Sequence, residues 1–211
     1  MIHIELVIVL ILAITSSVQP ISETCGNSTQ NVEDAFRNGE IFKDLDLNPP
    51  SDGMGFIRVT YGNKQVSCGT FLSVTETMLP PSIDFVADSS KNYTFLMLDP
   101  DVPSSRSPLA RSAVHWVIID IPGDKIASGK EVKFYISPGP PPGSGAHRYV
   151  FLIYQQPDGN MEMGLVPLQR TNFNVSQYAK ERNLSGPTAG NYFLETTTPS
   201  LNTTKSPIKL P

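Results

Sequence analysis

The sequence predicts a mainly β, turn-rich fold in a single domain, on three observations. Its 211 residues include 19 Pro and 15 Gly against only 17% charged residues, a balance that argues against a helical bundle or coiled coil. Short strand-like runs recur between turn clusters from Phe56 to Tyr154. Several of these runs are apolar on both faces, as strands in the middle of a packed sheet must be. A chain of this length buries roughly 70% of its extended surface, so its core needs no metal or dense disulfide framework.

At the N-terminus, Leu6 to Ile14 form an unbroken apolar run that Thr15-Ser16-Ser17 follows. Such a run is too short to cross about 30 Å of hydrocarbon but suits the apolar segment of a signal peptide, with cleavage after Ser17. No Lys or Arg precedes it, which leaves a buried N-terminal strand as the competing reading. Residues 18–30 then form an N-terminal extension. Asn31 is expected to cap a short helix through Val32, Ala35 and Phe36, spaced i, i+3, i+4, with Gly39 as its stop. Asn48-Pro-Pro-Ser-Asp-Gly53 is a turn cluster. The strand-like runs follow: Phe56–Tyr61, Gln65–Leu72, Ile83–Val86, Tyr93–Leu98, Val114–Ile121, Val132–Ile136 and Tyr149–Tyr154. In one of them Tyr93, Phe95 and Met97 fall on one face and Thr94, Leu96 and Leu98 on the other. Asn174 with Gln177 resembles a capping box and opens a late helix to about Leu184. Residues 196–211, rich in Thr, Ser, Pro and Asn, have little to bury and are expected to form a flexible tail beyond a domain of residues 31–195.

Charge and covalent chemistry narrow the function. Sixteen Lys and Arg against 20 Asp and Glu give −4, with no basic stripe, so a nucleic-acid partner is not expected. Nothing after the leader is long and apolar enough to be a transmembrane anchor, so a secreted, extracellular protein is expected, as a monomer. Sequons at Asn27, Asn92, Asn174, Asn183 and Asn202 suit that compartment. Cys25 and Cys68, the chain's two cysteines, are expected to bridge there; two separate buried thiols are the alternative.

Three places set polar groups into apolar strands. Tyr93–Leu98 ends in Asp99-Pro-Asp101-Val-Pro103; His115 interrupts Val114-His-Trp-Val-Ile-Ile119; and the Pro/Gly loop Pro138–Ala146 delivers His147 onto an apolar strand. If Tyr93–Leu98 and Val114–Ile121 are antiparallel, Asp99 lies near His115. His147 joins them if its strand runs with Val114–Ile121. Alternation places His147, Tyr149, Phe151 and Ile153 on one face. A mouth of this kind suits a small ligand. Taken singly, each histidine reads more readily as a hydrogen-bonded core or edge residue, and each aspartate equally as a turn former.

The segments Asp99-Pro-Asp-Val-Pro-Ser104, Val114-His-Trp-Val117 and Gly139-Pro-Pro-Pro-Gly-Ser-Gly-Ala-His-Arg-Tyr149, in this order, resemble the phosphatidylethanolamine-binding protein family, which includes the Raf kinase inhibitor proteins and the florigens. The resemblance runs from about Val32 to Glu195 and includes Gly186-Pro-Thr-Ala-Gly190 as a turn. It implies a β-sandwich with a few short peripheral helices and a small anion pocket for a phospholipid head group or a related phosphate-type anion. By the family pattern the pocket is formed by Asp99, His115, Gly139 with Pro140, His147 and Tyr149, with Asp101 and Pro103 shaping its rim. The chain departs from the pattern in lacking an aromatic residue shortly before His115, where Leu109–Val114 stand, and in having the Thr/Pro tail in place of a C-terminal helix.

A carboxylate beside a phosphate poses a problem, because two unit charges 4 Å apart repel by about 4 kcal/mol at an effective dielectric of 20. Asp99 is therefore expected to hold an imidazole's tautomer or bond loop amides, leaving His115, His147, loop N–H groups and the Tyr149 hydroxyl to face the anion. Three such contacts predict affinity in roughly the micromolar-to-millimolar range. No cofactor or metal is expected, since H-E-x-x-H and cysteine ligand sets are absent. Nor is an enzyme, since Ser144 lacks the strand–elbow–helix context of a hydrolase nucleophile. The alternative is an extracellular protein partner: a protease inhibitor or signalling protein in which the pocket is a docking feature.

Overall fold

The computed structural model describes residues 29–161 and 169–197. The leader (1–17), the extension through residue 28 with Cys25 and Asn27, and the tail from residue 198 with Asn202 lie outside the described residues. Helices α1 (Thr29–Asn38) and α2 (Ile41–Asp44) precede short strands β1 (Gly55–Phe56), β2 (Arg58–Tyr61), β3 (Lys64–Val66), β4 (Thr70–Leu72) and β5 (Ser82–Asp84). Then come β6 (Asn92–Asp99), β7 (Ala113–Pro122), β8 (Lys130–Lys133), β9 (His147–Gln155), helix α3 (Val175–Glu181) and β10 (Ser185–Glu195). The fold is mainly β and forms a single domain.

The apolar faces of β6 explain the layering. β6 sits mid-sheet, antiparallel to both β7 and β9, in a seven-stranded sheet of order β1-β10-β9-β6-β7-β8 with β4 also on β10. Tyr93, Phe95 and Met97 pack with Tyr149, Phe151, Ile153 and Phe193 against Val59, Tyr61, Val66 and Ile83 of a second sheet, ordered β3-β2-β5. Leu96 and Leu98 pack on the other face with Val150 and Leu152, under Val32 and Phe36 of α1, Ile41 and Phe42 of α2, and Val175 and Tyr178 of α3. Each fully buried Leu or Phe contributes about 1.5–3 kcal/mol.

Several elements differ from the sequence reading. Phe56–Tyr61 is two strands: β1 joins β10 and β2 joins the small sheet. Gln65–Leu72 likewise breaks at a turn, Thr70 N–H donating to the Ser67 carbonyl at 2.9 Å with Gly69 at φ +87°. Each apolar run thus crosses from one sheet to the other, which alternation within the run cannot reveal. α1 begins at Thr29, so Asn31 lies inside the helix and is not its cap. α3 does start at its expected cap: the Asn174 side chain accepts the Gln177 N–H at 2.8 Å. The Gln177 amide, however, donates to Glu181 and does not close a box. Gly186–Gly190 is the start of β10, the longest strand, entered through a bulge between Ser185 and Ala189 with Gly186 at φ +126°. Its glycines signal close approach: a Cβ on Gly190 would stand 2.6 Å from the Phe36 ring and would also collide with Met54.

Candidate ligand-binding site

The antiparallel β6–β7 pairing sets Leu98 opposite Val114 and Asp99 opposite Ala113, and β9 runs with β7 because it too is antiparallel to β6. The end of β6 and the starts of β7 and β9 therefore meet at one edge, bringing Asp99, His115 and His147 together. Asp99 and His147 are buried. Asp99 Oδ2 lies 2.8 Å from His147 Nδ1, and its Oδ1 accepts the Asp101 N–H at 2.7 Å. Both Asp99 oxygens thus have partners within the protein.

His115 is partly exposed, and its Nδ1 donates to the Ile136 carbonyl at 2.8 Å. Its ring meets Tyr149 edge-on, centroids 5.1 Å apart and planes at 88°. The Tyr149 hydroxyl accepts the Gly139 N–H at 3.3 Å, tying the Pro/Gly loop to the buried ring beneath it. Pro103 is exposed on one flank and Pro140 buried on the other. The two loops are joined where the Ser104 hydroxyl donates to the Ser144 carbonyl at 2.8 Å.

Asp101 plays a different part from the other acid. It is fully buried; its Oδ2 accepts the Arg148 backbone N–H and Nε, each at 2.9 Å, and its Oδ1 takes Nη2 at 2.6 Å. Arg148 Nη2 also reaches Asp44 at the end of α2 at 2.6 Å, and Asp44 pairs with Arg111 at 2.7 Å. Arg111 Nε in turn donates to the Pro100 carbonyl at 2.7 Å. Asp101 thus anchors the loop to the helical layer, with its carboxylate on Arg148. The sequence reading assigned no site role to Arg148, Arg111 or Asp44. One signal was available: an Arg between His147 and Tyr149 projects to the opposite, apolar-packed face, where it needs an acid.

The electrostatics separate the two histidines. Burial pushes the His147 imidazole down, but the Asp99 hydrogen bond and charge, with Asp101 and the Pro103 carbonyl, outweigh it and raise the pKa. Burial dominates at His115 and lowers its pKa despite the Ile136 carbonyl and Asp99. In each ring the Nδ1 faces an acceptor and carries a proton, so a neutral ring presents a lone pair at Nε2 and a charged ring an N–H. His147 is accordingly the ring more inclined to the charged, donating form, and its buried Nε2 has no hydrogen-bond partner. The Pro103 carbonyl is near enough to favour the charged ring but outside hydrogen-bond geometry. Among the described residues no His/Cys/Asp/Glu group is arranged to hold a metal ion.

A family model, "Phosphatidylethanolamine-binding protein", matches residues 54–193, spanning all of the strands that build this edge. The chain belongs to the phosphatidylethanolamine-binding protein family. The chain is 31% identical over 174 residues to "Putative odorant-binding protein A5" of Drosophila melanogaster, covering 79% of this chain and 81% of that one. It is 34% identical over 143 residues to a "26 kDa secreted antigen" of Toxocara canis, covering 65% of this chain and 55% of that protein. Among solved structures, a carboxypeptidase Y inhibitor complexed with its cognate proteinase aligns with a TM-score of 0.71 at 26% identity, over 82% of this chain and 98% of the inhibitor.

In this family member the remaining expected sites are dispersed. Asn174 and Asn183 are exposed at the two ends of α3, and the Asn92 amide donates to Asn160 at 3.1 Å. Cys68 is buried in the same cluster as Val32 and Phe36 of α1. No helix among the described residues is long and apolar enough to cross a membrane.

Proposed function

We propose that the chain is a secreted, non-catalytic binding protein whose pocket at the Asp99–His115–His147 edge takes a phospholipid head group or a related small phosphate anion. The observation that carries this reading is His147 Nε2: a buried nitrogen without a partner, on a ring that Asp99 keeps inclined to the charged form. Asp99 is neutralised by that ring, which removes the repulsion a free carboxylate would exert on a phosphate. His115, Gly139 and Tyr149 complete the polar wall, and Pro103 and Pro140 frame it. The surround is apolar: Tyr135 donates to the Thr77 carbonyl at 2.6 Å, and Met78, Leu79, Phe134 and Ile136 beside these residues are exposed. Such a border suits the glycerol and acyl parts of a lipid.

Secretion accords with the apolar leader, the sequons and the secreted relative. The Cys25–Cys68 bridge accords with the position of Cys68 beside α1, whose first residue follows Cys25 by four positions. Isothermal titration with glycerophosphoethanolamine is expected to show micromolar-to-millimolar binding that His147→Ala abolishes. Unchanged binding by a folded His147→Ala variant overturns the pocket. A second reading, inhibition of an extracellular protease, is favoured by the similarity to the proteinase-bound inhibitor. Inhibition that survives His147→Ala would place that activity on another surface.

A further inference from the structure

The register of β9 and β10 sets Glu195 directly opposite His147, two residues beyond the Tyr149–Phe193 pair. Directly opposed residues share a face, with Cβ atoms about 4.5–5.5 Å apart. Glu195 is fully buried, and its Oε2 is 2.6 Å from the Thr77 hydroxyl. Its Oε1 is buried and has no partner, as is His147 Nε2 across the strand pair. Two orphaned polar atoms of opposite character, a nitrogen that donates and an oxygen that accepts, thus belong to neighbouring side chains at the proposed pocket. Leaving either unsatisfied is costly, and one small group able to accept from one and donate to the other would satisfy both.

We propose that Glu195 is a specificity-determining residue of this pocket, accepting a hydrogen bond from the P–OH of a phosphate monoester whose oxyanion is held by His147 Nε2. The inference rests on the anion-pocket reading and adds to it a preference for monoesters over diesters, because a phosphodiester has no P–OH. A monoester with a second pKa near 6 carries that proton below neutrality. The carboxyl is itself suited to the role. The Thr77 hydroxyl donates to Oε2 at 2.6 Å, so Oε2 is satisfied within the protein and Oε1 is the oxygen left to accept. A carboxyl inclined toward its neutral form repels an anion less than a free carboxylate does. Burial and the neighbouring Asp99 charge raise the Glu195 pKa in the same sense, against the Thr77 bond and His147.

The test is calorimetric titration of the full chain at pH 5.5 with methyl phosphate and with dimethyl phosphate. Wild type is expected to bind the monoester about 3- to 10-fold more tightly, the equivalent of one hydrogen bond. Glu195→Gln, which keeps a carbonyl oxygen, retains that preference. Glu195→Ala loses it while still binding the diester. A monoester-to-diester ratio unchanged in Glu195→Ala overturns the inference alone, since the preference would then be steric. Failure of wild type to bind either probe overturns the pocket reading, and the inference with it. Phosphatidylcholine vesicles carrying phosphatidate or phosphatidylethanolamine identify the source: capture by phosphatidate alone marks a lipid monoester, and binding of methyl phosphate without vesicle capture marks a soluble one.

Discussion

Two histidines at the same strand edge have opposite inclinations because burial prevails at His115, whereas a carboxylate partner outweighs it at His147. His147 is paired with a carboxylate and His115 with a carbonyl, and a full charge favours imidazolium more than a dipole does. The His147 value lies above the ordinary 6.5, so its contribution to stability is complete below 6.5 and is lost as pH rises through the raised value. Anion affinity follows the same direction. Titration with glycerophosphoethanolamine, whose phosphate does not ionise further, is expected to weaken about tenfold as His147 loses its charge, roughly 1.4 kcal/mol. Affinity that is flat from pH 5.5 to 8.5 would remove imidazolium from the mechanism. Asp101 belongs to stability. Asp101→Ala removes three of the Arg148 hydrogen bonds and leaves its charge to Asp44 alone, a loss of about 3–5 kcal/mol. A thermal midpoint lowered by about 6–20 °C is expected from calorimetry, and an unchanged midpoint would show that the pair contributes nothing.

At the scale of elements, the site depends on what fastens β10 and α1 to the central strands. Gly190 lets the Phe36 ring of α1 lie against β10, so Gly190→Ala forces the helix outward at about 1–3 kcal/mol. Chemical denaturation measures that loss. The Asn174 cap opens α3, which packs on the helical face of the sheet, and Asn174→Ala is expected to cost about 1 kcal/mol without altering ligand affinity. A bridge from Cys25 to Cys68 would tie the chain before α1 to the turn between β3 and β4. Alkylation with and without reduction, read by mass, should find no reactive thiol in the untreated protein. Two alkylated cysteines without reduction would rule the bridge out.

For the whole molecule, three layers put one edge of the central sheet to use. Because β7 and β9 run together and β6 runs against them, both histidines and the Asp99 loop emerge on the same side, while helices and the small sheet seal the two faces. A secreted sample is expected to begin near residue 18, to lose mass on deglycosylation, and to carry a phosphate ligand in native mass spectrometry. A retained leader on protein recovered from the medium would overturn the proposed processing.

The sequence by itself determined the β class, the double-sided burial of β6, the α3 cap and the conjunction of Asp99, His115 and His147. Those features depend on local alternation, local capping chemistry, or motifs whose order survives in the primary chain. The tertiary structure alone decided which short runs changed sheets and that Gly186–Gly190 opens a strand. It also decided that Asp101 serves Arg148 and that Glu195 stands beside His147. Each of these is a pairing between residues far apart in the chain, fixed by register and packing between elements. No periodicity within a single segment encodes it.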